Sequence, residues 1–204
     1  AMHPLSVHLK KFERWIIRRV RLSRQRYKLR HVPAGTTPHP VLDAGCGRYP
    51  IPVADFVADR SVYEFDDPAE RERLRGRYVL CDMHALPFAA GTFGFAHCSN
   101  VLEHVADPPK AFAELHRVSR HGFAECPNAF RENWLIHPPG HIWIVGWRKG
   151  VLWHKRPRTH RIAGCQILPL PFMPWMRVRF RLAWKAAMFF GDSILHAMYN
   201  EVRW

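Results

Sequence analysis

VLDAGCGRYP, residues 41–50, is a strand running into a glycine loop, and the class of fold follows from it. Val41 and Leu42 open a short apolar run of the length of a buried strand, and Gly45 and Gly47 turn that run into a loop. In dinucleotide-binding folds such a loop carries three glycines and leads into a helix whose N-terminus receives the phosphates. Here the third glycine, expected at position 49, is Tyr49, followed by Pro50. A loop without it suits pyrophosphate poorly. The two remaining glycines still let backbone approach a ligand closely, and the acidic Asp43 stands just before them.

Outward from this loop, apolar runs alternate with helical stretches. VLDAG (41–45), ADFVAD (54–59), RYVLCD (77–82), FGFAHCS (93–99) and GFAEC (122–126) are predicted strands. PKAFAELHRVS (109–119), with apolar residues at 112, 115 and 118, is the clearest helix between them. Alternation of this kind predicts an α/β fold, a mostly parallel Rossmann-like sheet flanked by helices. Upstream, Leu5, Leu9, Phe12, Ile16 and Val20 recur at helical spacing among Lys and Arg, which predicts a basic amphipathic helix. HVPAGTTPHP (31–40) reads as a linker. From residue 133 the texture changes: HIWIVGWRKGVLWHK (141–155) predicts a hairpin turning at Lys149-Gly150. ILPLPFMPWM (167–176) is a proline-broken loop, and residues 183–199 form an apolar helix. The expected division is 1–40, helix and linker; 41–132, a cofactor-binding core; and 133–204, an extension completing the sheet and the acceptor site.

S-adenosylmethionine is a ligand that carries adenosine without pyrophosphate, and the other strand ends suit it. RYVLCDMHALPF places Asp82 at the end of the third strand, where a carboxylate can accept the adenine amino group. With GTFGFAHCSNVLEHVADPPKAFAELHRVSRHGF behind it, this stretch resembles the class I S-adenosylmethionine-dependent methyltransferases of the methyltransferase domain 11 type. In them an acidic residue plus LPF, an aromatic strand, a V-LEHV-DP segment and an E-RV helix follow in this order. The resemblance covers roughly residues 41–130, and the combination is more specific than any one motif. Some members replace the third glycine by an Asn-Pro-like pair, shorten the next helix, and read RGYIE-P where this chain has HGFAECP (121–127). The resemblance implies S-adenosylmethionine as cofactor, held through Asp43, Gly45, Cys46, Gly47, Asp59, Asp82 and Met83, with Cys98 to Asn100 beneath its methionine part. Asp59 is the expected ribose ligand and Asp66 the reserve.

Methyl transfer needs nucleophile, methyl and sulfur held collinear and desolvated. A hydroxyl or amine acceptor must also lose a proton, so a base is expected nearby. His104 in LEHV is the candidate; the other reading makes it a residue that shapes the pocket. Glu103 beside it would point elsewhere on a helix. No metal site is expected, because Cys46, Cys81, Cys98 and Cys126 lack CxxC spacing and read as small buried residues. His137, His141, His154, His160 and Cys165 suggest zinc only loosely. The tryptophans at 134, 143, 147 and 153 read mainly as packing residues.

Composition sets the remaining bounds. Apolar residues at 48% and charged residues at 24% over 204 positions describe a globular chain. Five cysteines without CxxC pairs point to a reducing compartment, hence a cytoplasmic location. No signal peptide and no apolar run long enough for a membrane span is expected. The net charge of +14 is uneven: residues 1–30 hold ten Lys or Arg and one acid, residues 31–132 ten and fourteen, residues 133–204 eleven and two. Two basic arms around a mildly acidic centre favour an anionic acceptor, whether small molecule, saccharide or lipid-linked intermediate. The expected activity is methyl transfer to O or N. Two other readings stand behind it: a nucleic-acid partner, as an RNA methyltransferase or RNA-binding protein, and an inactive cofactor-binding partner subunit. The apolar last helix also admits peripheral membrane contact, although core packing is the commoner fate of such a helix. Oligomeric state is not legible.

Overall fold

A computed structural model describes residues 25–33, 39–63, 65, 67–129, 132, 140–157 and 199–204, together with Trp15, Arg19, Leu22 and Ser23. At its centre β1 (Val41–Ala44) pairs in parallel with β2 (Phe56–Asp59) on one side and β4 (Phe93–Ser99) on the other. β3 (Tyr78–Leu80) lies outside β2, and β5 (Ser119–Pro127) lies outside β4, both parallel. All four residues of β1 and all seven of β4 are buried, as strands covered on both faces must be. The mostly parallel, Rossmann-like sheet expected from the sequence is therefore present.

Two helices connect these strands. The short α1 (Pro68–Arg73) starts at Asp67, whose side chain accepts from Ala69 N. The longer α2 (Pro108–Val118) starts at Asp107, which accepts from Lys110 N, with Pro108 at a position that needs no hydrogen-bond donor. Its buried residues Ala111, Phe112, Leu115 and Val118 recur at helical spacing and share a core with Leu42, Ala96, Cys98 and Ala124 on one sheet face. The opposite face packs Val41, Phe95 and Phe123 with Val32. There the helical residues 25–29 close the layer, and His31 stacks on Phe123 at 4.0 Å.

Residues 45–55, between β1 and β2, contain no helix. Other elements hold the segment instead. Lys28 Nζ donates to Tyr49 O at 2.9 Å and Gln25 Nε2 to Pro50 O at 3.2 Å. Arg73 of α1 donates to the carbonyls of Ala54 and Ile51.

The expected hairpin is β6 (Ile144–Arg148) and β7 (Val151–Lys155), a separate two-stranded sheet. Lys149 and Gly150 turn it with φ of +53° and +78°, the pair of positive values a tight two-residue hairpin turn requires. One strand went unforeseen. β8 (Tyr199–Arg203) pairs antiparallel with β5 and gives the six-stranded order β3-β2-β1-β4-β5-β8. Tyr199, expected to end a helix, starts this strand. Gly122 makes room for it, since a Cβ there would stand 2.1 Å from the Trp204 ring. The rest of the expected apolar helix, the 167–176 loop and the apolar residues of the first helix lie outside the described residues. Of that first helix, Trp15 and Arg19 are helical, with the Arg19 guanidinium 5.3 Å from the Trp15 ring centre. Among the described residues, no helix is long and apolar enough to cross a membrane.

Candidate functional site

The carboxyl ends of β1, β2, β3 and β4 face one cavity of about 670 Å³. This is where ligands enter open α/β sheets, beside the point at which strand order reverses. Gly45, Gly47, Asp59, Asp82, Met83, Asn100 and His104 all line it. The structure thus brings together seven of the ten residues singled out from the sequence.

The glycine loop is built by close contacts. Gly45 has φ of +71°, and a Cβ there would lie 2.1 Å from Val101 Cγ2, so the loop packs directly against the segment after β4. Gly47 has φ of +57° but nothing within 4 Å of its missing Cβ. Its N–H donates to Asp59 Oδ2 at 3.0 Å, while Asp59 Oδ1 accepts from Ser61 N at 3.1 Å. The acid at the end of β2 therefore ties the loop to the second strand. Asp66 lies outside the described residues.

Asp82 is exposed, and its Oδ1 accepts from His84 N at 2.9 Å and from His84 Nδ1 at 2.6 Å. His84 Nε2 in turn accepts from Asp107 N at 3.1 Å, which places the ring proton on Nδ1. The hydrogen bonds from the His84 backbone and ring hold the Asp82 carboxyl below its ordinary value. His84 thereby fastens the loop after β3 to the start of α2.

Residues 101–106 form turns and bends rather than a helix. Asn100, with φ of +56°, starts the segment, and its N–H donates to Glu125 O at 3.0 Å. His104 Nδ1 lies 2.9 Å from Gly140 O. A carbonyl only accepts, so Nδ1 carries the proton and Nε2 the lone pair. Burial lowers the His104 pKa, and the neighbouring His141 and Arg60 act in the same direction. Glu103 is buried, and its carbonyl accepts from Ile142 N at 2.9 Å and Trp143 N at 3.2 Å.

Asp43, Cys46 and Cys98 are not on the cavity wall. Asp43 is wholly buried: Oδ2 accepts from Ile51 N at 2.8 Å, Oδ1 lies 3.1 Å from His97 Nδ1, and Lys28 Nζ stands 3.6 Å away. Burial alone would raise its pKa, but Lys28, His97 and the Ile51 N–H outweigh that and hold the carboxyl below its ordinary value. Burial pushes the Cys46 and Cys98 thiols up. Among the described residues, no cysteine joins a cluster of potential metal ligands.

Sequence reading missed Arg60, Tyr63, His84 and Val101, all on the wall. For His84 a signal existed: a histidine two residues after a strand-end aspartate is placed to close a side-chain turn.

Residues 42–123 match the family model described as a methyltransferase domain. An uncharacterised methyltransferase of Mycobacterium sp. strain KMS is 37% identical over 97 residues, covering 44% of this chain and 37% of that protein. An uncharacterised 37.1 kDa protein in transposon TN4556 of Streptomyces fradiae is 37% identical over 93 residues, covering 40% of this chain and 27% of that protein. The chain thus spans about a third of the length of these curated relatives. A solved SAM-dependent methyltransferase of Thermotoga maritima, described as a possible histamine N-methyltransferase, is similar with a TM-score of 0.43 and 19% identity. That similarity covers 62% of this chain and 60% of the other.

Proposed function

We propose that residues 42–123, which match a methyltransferase domain, bind S-adenosylmethionine in the class I manner, and that the chain transfers a methyl group to an oxygen or nitrogen of an anionic acceptor. The observation that carries this reading is the cavity. It joins a two-glycine loop to one carboxylate at the end of β2 and another just beyond β3, and Asn100 and His104 stand opposite. Carboxylates suit ribose hydroxyls and an adenine amino group, both donors. They repel pyrophosphate, which this loop has neither the third glycine nor a following helix to receive.

In this reading Asp59 takes the ribose hydroxyls, Asp82 the adenine amino group, and Gly45, Gly47 and Asn100 the methionine part. Met83 forms an apolar wall. Asp43, Cys46 and Cys98 act from behind: Asp43 fixes the return of the loop at Ile51, and the two cysteines fill space beneath it. Bound S-adenosylmethionine would supply an electrophilic methyl group on a sulfonium. The protein's part is to align the acceptor with that methyl group and exclude water. In the same reading His104, with its Nε2 lone pair, takes the acceptor's departing proton.

The parts outside the matched domain bear on the acceptor's charge. Between Asn133 and Gly191 there is no acidic residue, the first thirty residues are strongly basic, and Arg60 lines the cavity. Such a field favours phosphate or carboxylate and adds nothing for a neutral acceptor. Small molecules, saccharides and lipid-linked intermediates all fit it, in a cytoplasmic setting. The same two regions, 1–40 and 133–204, are the ones we assign to acceptor recognition.

The test is calorimetric titration with S-adenosylmethionine and S-adenosylhomocysteine. Saturable binding is expected, weakened in Asp82→Ala by about 1–3 kcal/mol through the lost hydrogen bond. Absence of binding to the native chain would overturn the reading. Unchanged affinity in the variant would overturn the adenine assignment.

A further inference from the structure

Glu103, His104 and His141 each offer a ligand atom, and these atoms lie within 4.8 Å of one another. They come from two segments. Glu103 and His104 sit on the turn after β4, and His141 sits 37 residues later in the segment leading into β6. The two hydrogen bonds from Ile142 N and Trp143 N to Glu103 O pin these segments together, so the grouping is built into the backbone.

Both imidazoles are oriented from outside the group. His104 gives its Nδ1 proton to Gly140 O at 2.9 Å, and His141 Nδ1 lies 2.9 Å from Glu132 Oε1, with both side chains of that second pair buried. With Nδ1 held in this way, Nε2 is the nitrogen that each ring would turn to an ion. Outer carbonyls and carboxylates orient metal-binding histidines in this way. The two rings meet edge to face, with centres 4.4 Å apart. His104 Nε2 lies 3.9 Å from Glu103 Oε1. Two ligands on a tetrahedral ion at about 2.1 Å stand roughly 3.4 Å apart, so a shift of a few tenths of an ångström at each side chain closes the His104–Glu103 pair, and shifts of under about 1 Å at each close any separation up to 4.8 Å.

We propose that Glu103, His104 and His141 hold one divalent transition-metal cation at the acceptor end of the cavity, with Glu132 positioning His141. Two imidazoles and a carboxylate suit Zn²⁺ and its neighbours, and three protein ligands leave a coordination position open. His104 lines the cavity whereas Glu103 and His141 are buried behind it, so that position faces the acceptor. An acceptor oxygen bound there is held by charge, and the cation lowers the pKa of its proton, which departs to solvent as the oxygen becomes nucleophilic. The His104 lone pair then belongs to the cation. The role at the acceptor rests on the methyltransferase reading; the presence of the site does not.

The experiment is a Co²⁺ titration of the chelator-stripped, untagged chain, followed by calorimetry and by the visible ligand-field absorption of bound Co²⁺, and repeated with Zn²⁺. One tight equivalent is expected. Glu103→Gln and His141→Gln should abolish the tight phase, Glu132→Gln should weaken it about 10- to 100-fold, and His121→Gln, at an exposed histidine elsewhere, should leave it intact. The far-ultraviolet spectrum and thermal midpoint of each stripped variant show whether it folds. Should Glu103→Gln not fold, the metal-dependent rise in thermal midpoint, present in the native chain and absent in His141→Gln, makes the same distinction. A tight phase that persists in His141→Gln and Glu132→Gln, or no tight phase in the native chain, would overturn the site. S-adenosylhomocysteine binding to the stripped chain separates the two ideas. Cofactor binding without metal binding sinks the cation site alone, and metal binding without cofactor binding sinks the methyltransferase reading alone.

Discussion

Replacing Gly45 and Gly47 by alanine, one at a time, separates two costs that most glycine substitutions confound. Both residues have positive φ, +71° and +57°, so either alanine meets the left-handed penalty of about 1–2 kcal/mol. Only at Gly45 is there also a collision. The new methyl would stand 2.1 Å from Val101 Cγ2 and 3.0 Å from Cγ1. Val101 is β-branched and stiff at χ1, and its neighbour Asn100 is anchored to Glu125 O. Relief must therefore come from moving backbone. Overpacking of this kind costs about 1–3 kcal/mol, so Gly45→Ala should lose about 2–5 kcal/mol and Gly47→Ala about 1–2. Urea unfolding of the two variants and the parent measures this, provided the slope is unchanged so that midpoints compare directly. Equal midpoints for the two variants would refute the contact between the loop and Val101, and with it the geometry of this side of the cavity.

Lys28→Met removes the cation beside a buried carboxylate and should destabilise the fold by about 3–5 kcal/mol. Because the folded Asp43 carboxyl is held below its ordinary value of 3.8, its contribution is complete above that pH and is lost as pH falls through the folded value. Acid unfolding followed by circular dichroism should therefore move to higher pH in Lys28→Met. Cys46, Cys98 and Cys126 are buried and their thiols are raised by that burial, so iodoacetamide near pH 8 should label them only after denaturation; labelling of the native chain, located by peptide mass, would contradict their placement. Turnover of an anionic acceptor should fall markedly between low and high salt, while salt-insensitive turnover of a neutral one would overturn the charge argument.

The central sheet was legible because its evidence is local. FGFAHCS was expected at 93–99 and is β4 over the same seven residues, and a helix expected at 109–119 runs from Pro108 to Val118. The choice of Asp59 over Asp66 as the acid of the second strand turned on where that strand ends, and β2 ends at Asp59. What escaped reading depends on distant partners. Asp43 beside the glycines looked like a ligand contact, yet it meets Lys28, His97 and Ile51 in the interior. β8 is specified as much by the bare surface at Gly122 as by its own residues. Glu103 would point away from His104 only on a helix, and the segment turns instead. Its approach to His141 spans 38 positions, beyond the reach of any periodicity.

The support of the glycine loop by Lys28 and Gln25 bears on where this protein can be cut. The stretch recognisable by family, residues 42–123, takes part of its support from residues outside it. In a dinucleotide fold the helix after the glycines travels with them. Here its place is taken by side chains from 21 and 25 positions upstream, and the far edge of the same sheet is closed from residues 199–203. A fragment trimmed to the recognisable stretch would keep every cavity carboxylate and lose the scaffold that aims them. Experiments on cofactor binding therefore belong on the whole chain. Swapping this loop into a relative would also fail unless residues 25–28 went with it.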